Sequence, residues 1–200
     1  MSTSTSTSTA RCPFEGAAAR LAEDAAGVRP ACEQCAAPDP FEMLSGCHRH
    51  LLQACDALEH TAWALQADGQ LTDERLARLC EVIVLLDVAV PLHIEDEEHT
   101  LFPILQSRDP AGAGPSLTMH REHEQHEPLG YALRSAVLHR DPRAIARAAL
   151  ALAQGYRHHI EQEEAIMIPW ARRVVPDAQA RRYMVEEMLA RRERAGVVGC

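Results

Sequence analysis

The sequence predicts an all-α protein: an up-down-up-down antiparallel four-helix bundle with an irregular N-terminal arm and a C-terminal fifth helix. Two observations carry this. Four long segments repeat their apolar residues in alternating steps of three and four, the signature of one buried helix face. Only short links separate these segments, so neighbours should run antiparallel. Composition agrees: 46 % of the 200 residues are apolar and only 4 % aromatic, and the abundant alanine, leucine, glutamate and arginine favour helix.

Met1–Ala10 alternates serine and threonine and has nothing with which to build a core. Residues 11–40 hold Pro13, Pro30, Pro38 and Pro40 without a sustained period. They read as an arm, with a short helix at Glu15–Ala26. The domain proper spans 41–194, and 195–200 is a tail.

The first helix runs from about Pro40 to Ala67, with the column Phe41, Leu44, His48, Leu51, Cys55, Leu58, Ala62, Leu65; Asp68-Gly69 stops it. Thr72 caps the second, whose column is Leu76, Leu79, Ile83, Leu86, Val90, His93, Glu97, Leu101, Ile104. Pro91 inside it predicts a kink. Asp109–Pro115 is a loop. The third column is Ser116, Met119, His123, His126, Gly130, Leu133, Val137. Asp141-Pro142 opens the fourth helix, Asp as cap and Pro at the first helical position. Its column is Ile145, Ala149, Leu152, Tyr156, His159, Glu163, Ile166, Trp170. A fifth helix spans about Pro176–Arg194.

Histidine interrupts every one of the four columns, and in two of them a glutamate follows four residues on. A buried carboxylate needs a cation or strong donors. Residues i and i+4 share a helix face, so His93-x-x-x-Glu97 and His159-x-x-x-Glu163 each aim two groups at one volume. Residues 93–103 read HIEDEEHTLFP and 159–169 read HIEQEEAIMIP, identical at six of eleven positions. This is a local repeat with the character of approximate two-fold symmetry. Counting from the helix ends at about 1.5 Å per residue, His48, His93, Glu97, His123, His159 and Glu163 fall into one layer. A lone histidine in an apolar column is more often a hydrogen-bonded core residue than a ligand. Two matching His/Glu pairs and two single histidines at one height point to metal instead.

The remaining candidates follow helical phase. His50, His99, His139 and His158 lie off the columns, and His60 is ambiguous. His120 and His126 flank His123, and Glu127 stands four residues after it as an additional candidate ligand. Glu95, Asp96, Glu98, Glu161 and Glu164 read as a solvated acidic face. Nitrogen and oxygen donors suit iron or manganese, with zinc as a further option. Two such sets in one layer suggest two metals bridged by carboxylates. The Glu-x-x-His spacing of ferritin-like bundles is absent.

The segment 41–194 resembles the hemerythrin-like family, the HHE cation-binding domains. The resemblance rests on Cys47-His48, on H-x-x-x-E-E with Leu-Phe-Pro over 93–103, on Glu122-His123, and on Tyr156-x-x-His-x-x-x-Glu-Glu over 156–164. It implies a non-haem di-iron centre on His48, His93, Glu97, His123, His159 and Glu163, with Glu97 and Glu163 as bridges. Oxygen carriers of the family have His-x-x-x-His on the third helix. Met119 stands four before His123 here, and thioether sulfur is a poor ligand for hard iron.

The expected function is therefore a di-iron protein that binds, senses or reacts with oxygen, peroxide or nitric oxide. One alternative is an enzyme consuming peroxide or nitric oxide. Another is an iron donor for iron–sulfur cluster repair, which Cys32-x-x-Cys35 keeps open. A formal charge of −9 argues against nucleic acid as a partner. The chain shows no signal peptide or membrane span, and its seven cysteines form no regular framework, so a cytoplasmic location is expected.

Overall fold

The computed structural model describes residues 38–197, and among them there is no strand. Helix α1 spans Pro40–Asp68. Asp39 caps it, its carboxylate accepting from the N–H of Phe41 at 2.8 Å and of Glu42 at 3.4 Å, and Pro40 costs no hydrogen bond at the first turn. Gly69 closes the helix in the left-handed region at φ 68°, where a Cβ would be strained. Helix α2 spans Asp73–Asp96 behind Thr72, whose hydroxyl accepts from Arg75 N–H. It continues through a π turn, Glu97–Leu101, into α3, Phe102–Arg108. After a 3₁₀ turn at Pro110–Gly112, α4 spans Ala113–Leu138. Helix α5, Pro142–Gln162, is capped by Asp141 and passes through a second π turn, Glu163–Met167, into α6, Ile168–Val174. Helix α7 spans Ala178–Arg194.

The bundle therefore has four long rods, α1, α2–α3, α4 and α5–α6, each packed against its neighbours in a ring, with α7 added across one end. The short helix expected at Glu15–Ala26 and the Cys32–Cys35 pair lie outside the described residues. Helix α4 begins three residues before the expected Ser116: Pro115 falls in its first turn, where a missing N–H is harmless. Pro128, in its interior, is exposed.

The two π turns break the fixed period of the sequence columns, and they correct those columns. In each, an N–H reaches the carbonyl five residues back, Phe102 to Glu97 and Ile168 to Glu163. The repeat's final prolines supply the cause. Pro103 and Pro169 have no N–H, and their rings crowd the carbonyls of His99 and Ala165, four residues earlier. A wider turn relieves the crowding at the cost of one extra residue. Beyond it every phase advances by one. Leu105 rather than Ile104 is fully buried, Met167 replaces Ile166, and Ala171 replaces Trp170; Ile166 is 54 % exposed. The irregularity in the second rod is this π turn, while α2 runs on through Pro91.

The core is divided in two. One apolar cluster takes α1 from Leu51 onward, α2 up to Val90, α4 from Leu133 and α5 up to Ile160. The other takes Phe41 and Leu44, Leu101–Leu105, Met119, Met167–Val175 and, from α7, Met184 and Met188. On every rod the interrupting histidines and glutamates fall between the two clusters. Helix α7 closes the second cluster and is anchored by a buried ion triad. Asp96 accepts from Arg191 at 2.9 Å and from Arg192 at 2.6 Å, and Arg191 also donates to Thr100 Oγ1 at 2.6 Å. Asp96 is thus not part of a solvated face: it is fully buried. Its partners lie about a hundred residues away in sequence, beyond the reach of local patterning.

Candidate metal centre

Each rod carries its part of the polar layer at one height. His48 and His93 face each other with their Nε2 atoms 3.2 Å apart; His123 and His159 do the same at 3.1 Å. Glu97 lies between the pairs, Oε1 3.3 Å from His93 Nε2 and Oε2 3.2 Å from His123 Nε2. Glu163 mirrors it from the opposite rod, its Oε2 3.0 Å from His48 Nε2 and 3.4 Å from His159 Nε2. Two four-residue groups result, His48/His93/Glu97/Glu163 and Glu97/His123/His159/Glu163. In each, all ligand atoms lie within 4.8 Å of one another. Both groups contain both glutamates.

The donors fit a cation. Both Glu97 oxygens and Glu163 Oε2 are buried and have no hydrogen-bond partner among the described residues. Such buried, unsatisfied carboxylate oxygens are costly unless a positive charge meets them. Nitrogens bound about 2.0–2.1 Å from one ion lie about 3 Å apart, as the paired imidazoles do.

Three of the four histidines are oriented from behind. The Nδ1–H of His48 donates to Glu164 at 2.6 Å, that of His123 to Glu98 at 2.7 Å, and that of His159 to Glu122 at 2.8 Å. A carboxylate on Nδ1 fixes the tautomer and presents Nε2 to the metal. Nδ1 of His93 is buried and unpartnered among the described residues. Helical phase places Glu98 and Glu164 on a solvated acidic face; Glu164 is indeed exposed while Glu98 is half-buried, and each backs the single histidine of a neighbouring rod. The signal is the doubled glutamate of both repeats: in 97–98 and 163–164 the first side chain enters the layer and the second braces a histidine on the adjacent rod. For Glu122 the sequence offers only the Glu122-His123 motif.

Burial acts first on every member of the layer, and the charges then divide them. Desolvation pushes His93 down to about 4 and lowers His159. At His48 and His123 desolvation is outweighed by the facing glutamates, which hold them up at about 11 and about 9. Burial, and the charge of Glu97, push Glu163 up to about 8, while the surrounding imidazoles pull Glu97 well below the usual carboxylate range despite its burial. Without a cation the layer therefore retains protons that a metal would displace.

The other candidates separate cleanly. His50, His60, His99, His139 and His158 are exposed, as are Glu95 and Glu161. Glu127 is exposed and belongs to neither group. His120 is exposed and shares Glu98 with His123. His126 is buried, its ring centroid 5.2 Å from that of His159 and 4.5 Å from that of Tyr156. Met119 is buried in the second apolar cluster. No helix among the described residues is long and apolar enough to cross a membrane.

A helical bundle with a central layer of histidines and shared carboxylates defines a class of metal-binding helical proteins. Comparison with protein families gives the same class: the model of the hemerythrin HHE cation binding domain matches residues 39–171. The chain belongs to the hemerythrin HHE cation-binding family. No curated protein matches the sequence. Helix α7 lies beyond the matched span.

Proposed function

We propose that the chain binds two iron ions, one on His48 and His93, the other on His123 and His159, with Glu97 and Glu163 bridging both. The observation that carries this reading is the double membership of the two glutamates. Each is within about 3.5 Å of a histidine nitrogen from either pair, as a bridging carboxylate requires. The nitrogen and oxygen donor set favours iron or manganese over softer metals.

When bound, such a pair of ions supplies redox-active positions for oxygen, peroxide or nitric oxide. The chain's own residues do the rest. Glu98, Glu122 and Glu164 hold three imidazoles in one tautomer, and the two apolar clusters keep bulk water from the layer on either side. Met119 occupies a position where oxygen carriers of this family have a ligand histidine, and it is committed to apolar packing. This favours reaction with oxygen or peroxide over reversible carriage. Metal analysis after reconstitution with ferrous iron tests the first part: about two irons per chain are expected for a two-ion site, and less than one refutes it. Repeated oxygenation and deoxygenation, followed by absorbance, tests the second: many clean cycles without oxidation would return the chain to the carriers.

A further inference from the structure

The centre is not equally accessible from all sides. A cleft of about 560 Å³ opens between α2 and α4. Val90, Ile94, His126 and Tyr156 wall it, and of the four paired histidines His123 alone lines it. Glu95, Glu124 and Glu127 line it as well, and all three are exposed at its solvent side. The one arginine on its wall, Arg134, is engaged by Asp87. His126 is the group this arrangement leaves unexplained. It is 6 % exposed, and its Nδ1 has no hydrogen-bond partner among the described residues. Its other edge rests on Gly155, where a Cβ would stand 3.1 Å from Cδ2 and 3.2 Å from Nε2. A buried imidazole nitrogen without a partner is costly, and this one belongs to a ring that lines the cleft and packs on His159.

We infer that a small neutral molecule reaches the centre through this α2/α4 cleft, binds on the His123/His159 side rather than the His48/His93 side, and is hydrogen-bonded there by His126. The inference rests on the two-metal reading and adds to it the route, the ion approached and the residue that receives the ligand. Volume is ample for a molecule of a few atoms, since one water occupies about 30 Å³ of the liquid. The exposed carboxylates repel small anions, so the ligand class is neutral: a diatomic gas or hydrogen peroxide. Tyr156 extends the wall beside His126. A side chain at Gly155 would press on the His126 ring, which would have to shift by a few tenths of an ångström.

The test uses the full chain loaded with isotopically enriched ferrous iron, and nitric oxide as the probe. Mössbauer spectra should show one of two iron environments converted at limiting nitric oxide; equal conversion of both overturns the inference. Filling the cleft with Val90→Phe should slow association at least about tenfold, because entry rather than bonding is obstructed. His126→Leu stays near the side-chain volume and removes the nitrogens, so dissociation should quicken by about tenfold, the worth of one hydrogen bond, with association retained. Unchanged rates in both variants overturn the proposal. A measurement on the unmutated, metal-free protein guards against misfolding: dissolved dioxygen should relax the ring protons of His123 and His126 more than those of His48 and His93, and equal relaxation overturns the route. Iron below one per chain would instead count against the two-metal reading, leaving this last measurement to judge the cleft.

Discussion

Removing the Asp96 carboxylate tests how the C-terminal helix is held. Asp96 is fully buried, with one oxygen 2.9 Å from Arg191 and the other 2.6 Å from Arg192. Burial pushes its carboxyl up while the two guanidiniums pull it down, so the intact triad gains little over a well-packed apolar trio. Breaking it is another matter. Asp96→Ala leaves two buried guanidinium groups without their anion, and breaking a buried pair costs about 3–5 kcal/mol. For a domain of this size each kcal/mol moves the melting temperature by about 2–4 °C, so a drop of about 10 °C is expected. The assay is thermal unfolding of the metal-free protein, which keeps metal linkage out of the comparison. The control is Asp68→Ala, which breaks the two-pronged but exposed pair with Arg75 at 2.7 and 2.9 Å and should leave the transition where it was. Replacing Asp96, Arg191 and Arg192 together by leucine and two methionines should recover most of the loss. If Asp96→Ala melts with the wild type, α7 is not anchored by this triad.

Other outcomes follow from the same geometry. Glu97→Ala and Glu163→Ala should each reduce bound metal to less than half, because each removes a ligand from both groups, while His50→Ala and His99→Ala leave it intact; if His50→Ala strips metal as fully as His48→Ala, the register of α1 is wrong. Metal affinity should rise with pH from about 6 to 8, since binding must displace protons from His48 and His123, held up at about 11 and about 9 by the facing glutamates against their burial. Titration with zinc in a weakly buffered indicator solution reads this as acid release, and a pH-independent affinity with no release would contradict it. A chain starting at Asp39 should keep its helicity and its metal, because Asp39 itself caps α1 and pairs with Arg181 at 3.2 Å; loss of both on truncation would show that the first 38 residues contribute to the bundle.

Much of the bundle and its polar layer is legible in the sequence alone. A column of apolar residues interrupted by histidine on all four rods requires a polar layer, and antiparallel packing places it at one height. The repeat then names four residues, His93, Glu97, His159 and Glu163, and the family resemblance names these together with His48 and His123. What escapes is of two kinds. The π turns insert a residue into a pattern read at fixed period, so the columns place Ile104, Ile166 and Trp170 each one position too early. The prolines ending both repeats are the available sign. Asp96 and Glu98 read as solvated, and the contact made by the exposed Glu164 goes unread, because a carboxylate on the outer phase of one helix has no local partner. Their partners, Arg191 and Arg192, His123 and His48, come from other helices, and only the packing of the rods reveals them.

The layer and the helix that covers it bear on one another. Four imidazoles and two carboxylates separate two apolar clusters that would otherwise form one core, a costly arrangement without a cation. A metal that binds only the folded chain returns stability in proportion to RT ln(1 + [L]/Kd), about 2.7 kcal/mol at a hundredfold excess over Kd. The π turn in the second rod is where this coupling is concentrated. Within five consecutive residues, Asp96 holds α7, Glu97 enters both metal groups, Glu98 braces His123, and Thr100 accepts from Arg191. Any movement of that turn shifts the anchor and a shared ligand together. Helix α7 closes the end of the bundle at the second cluster, and the cleft between α2 and α4 is left as the lateral approach. The chain therefore separates its two requirements in space, with rigidity set from the end of the bundle and ligand entry from its side.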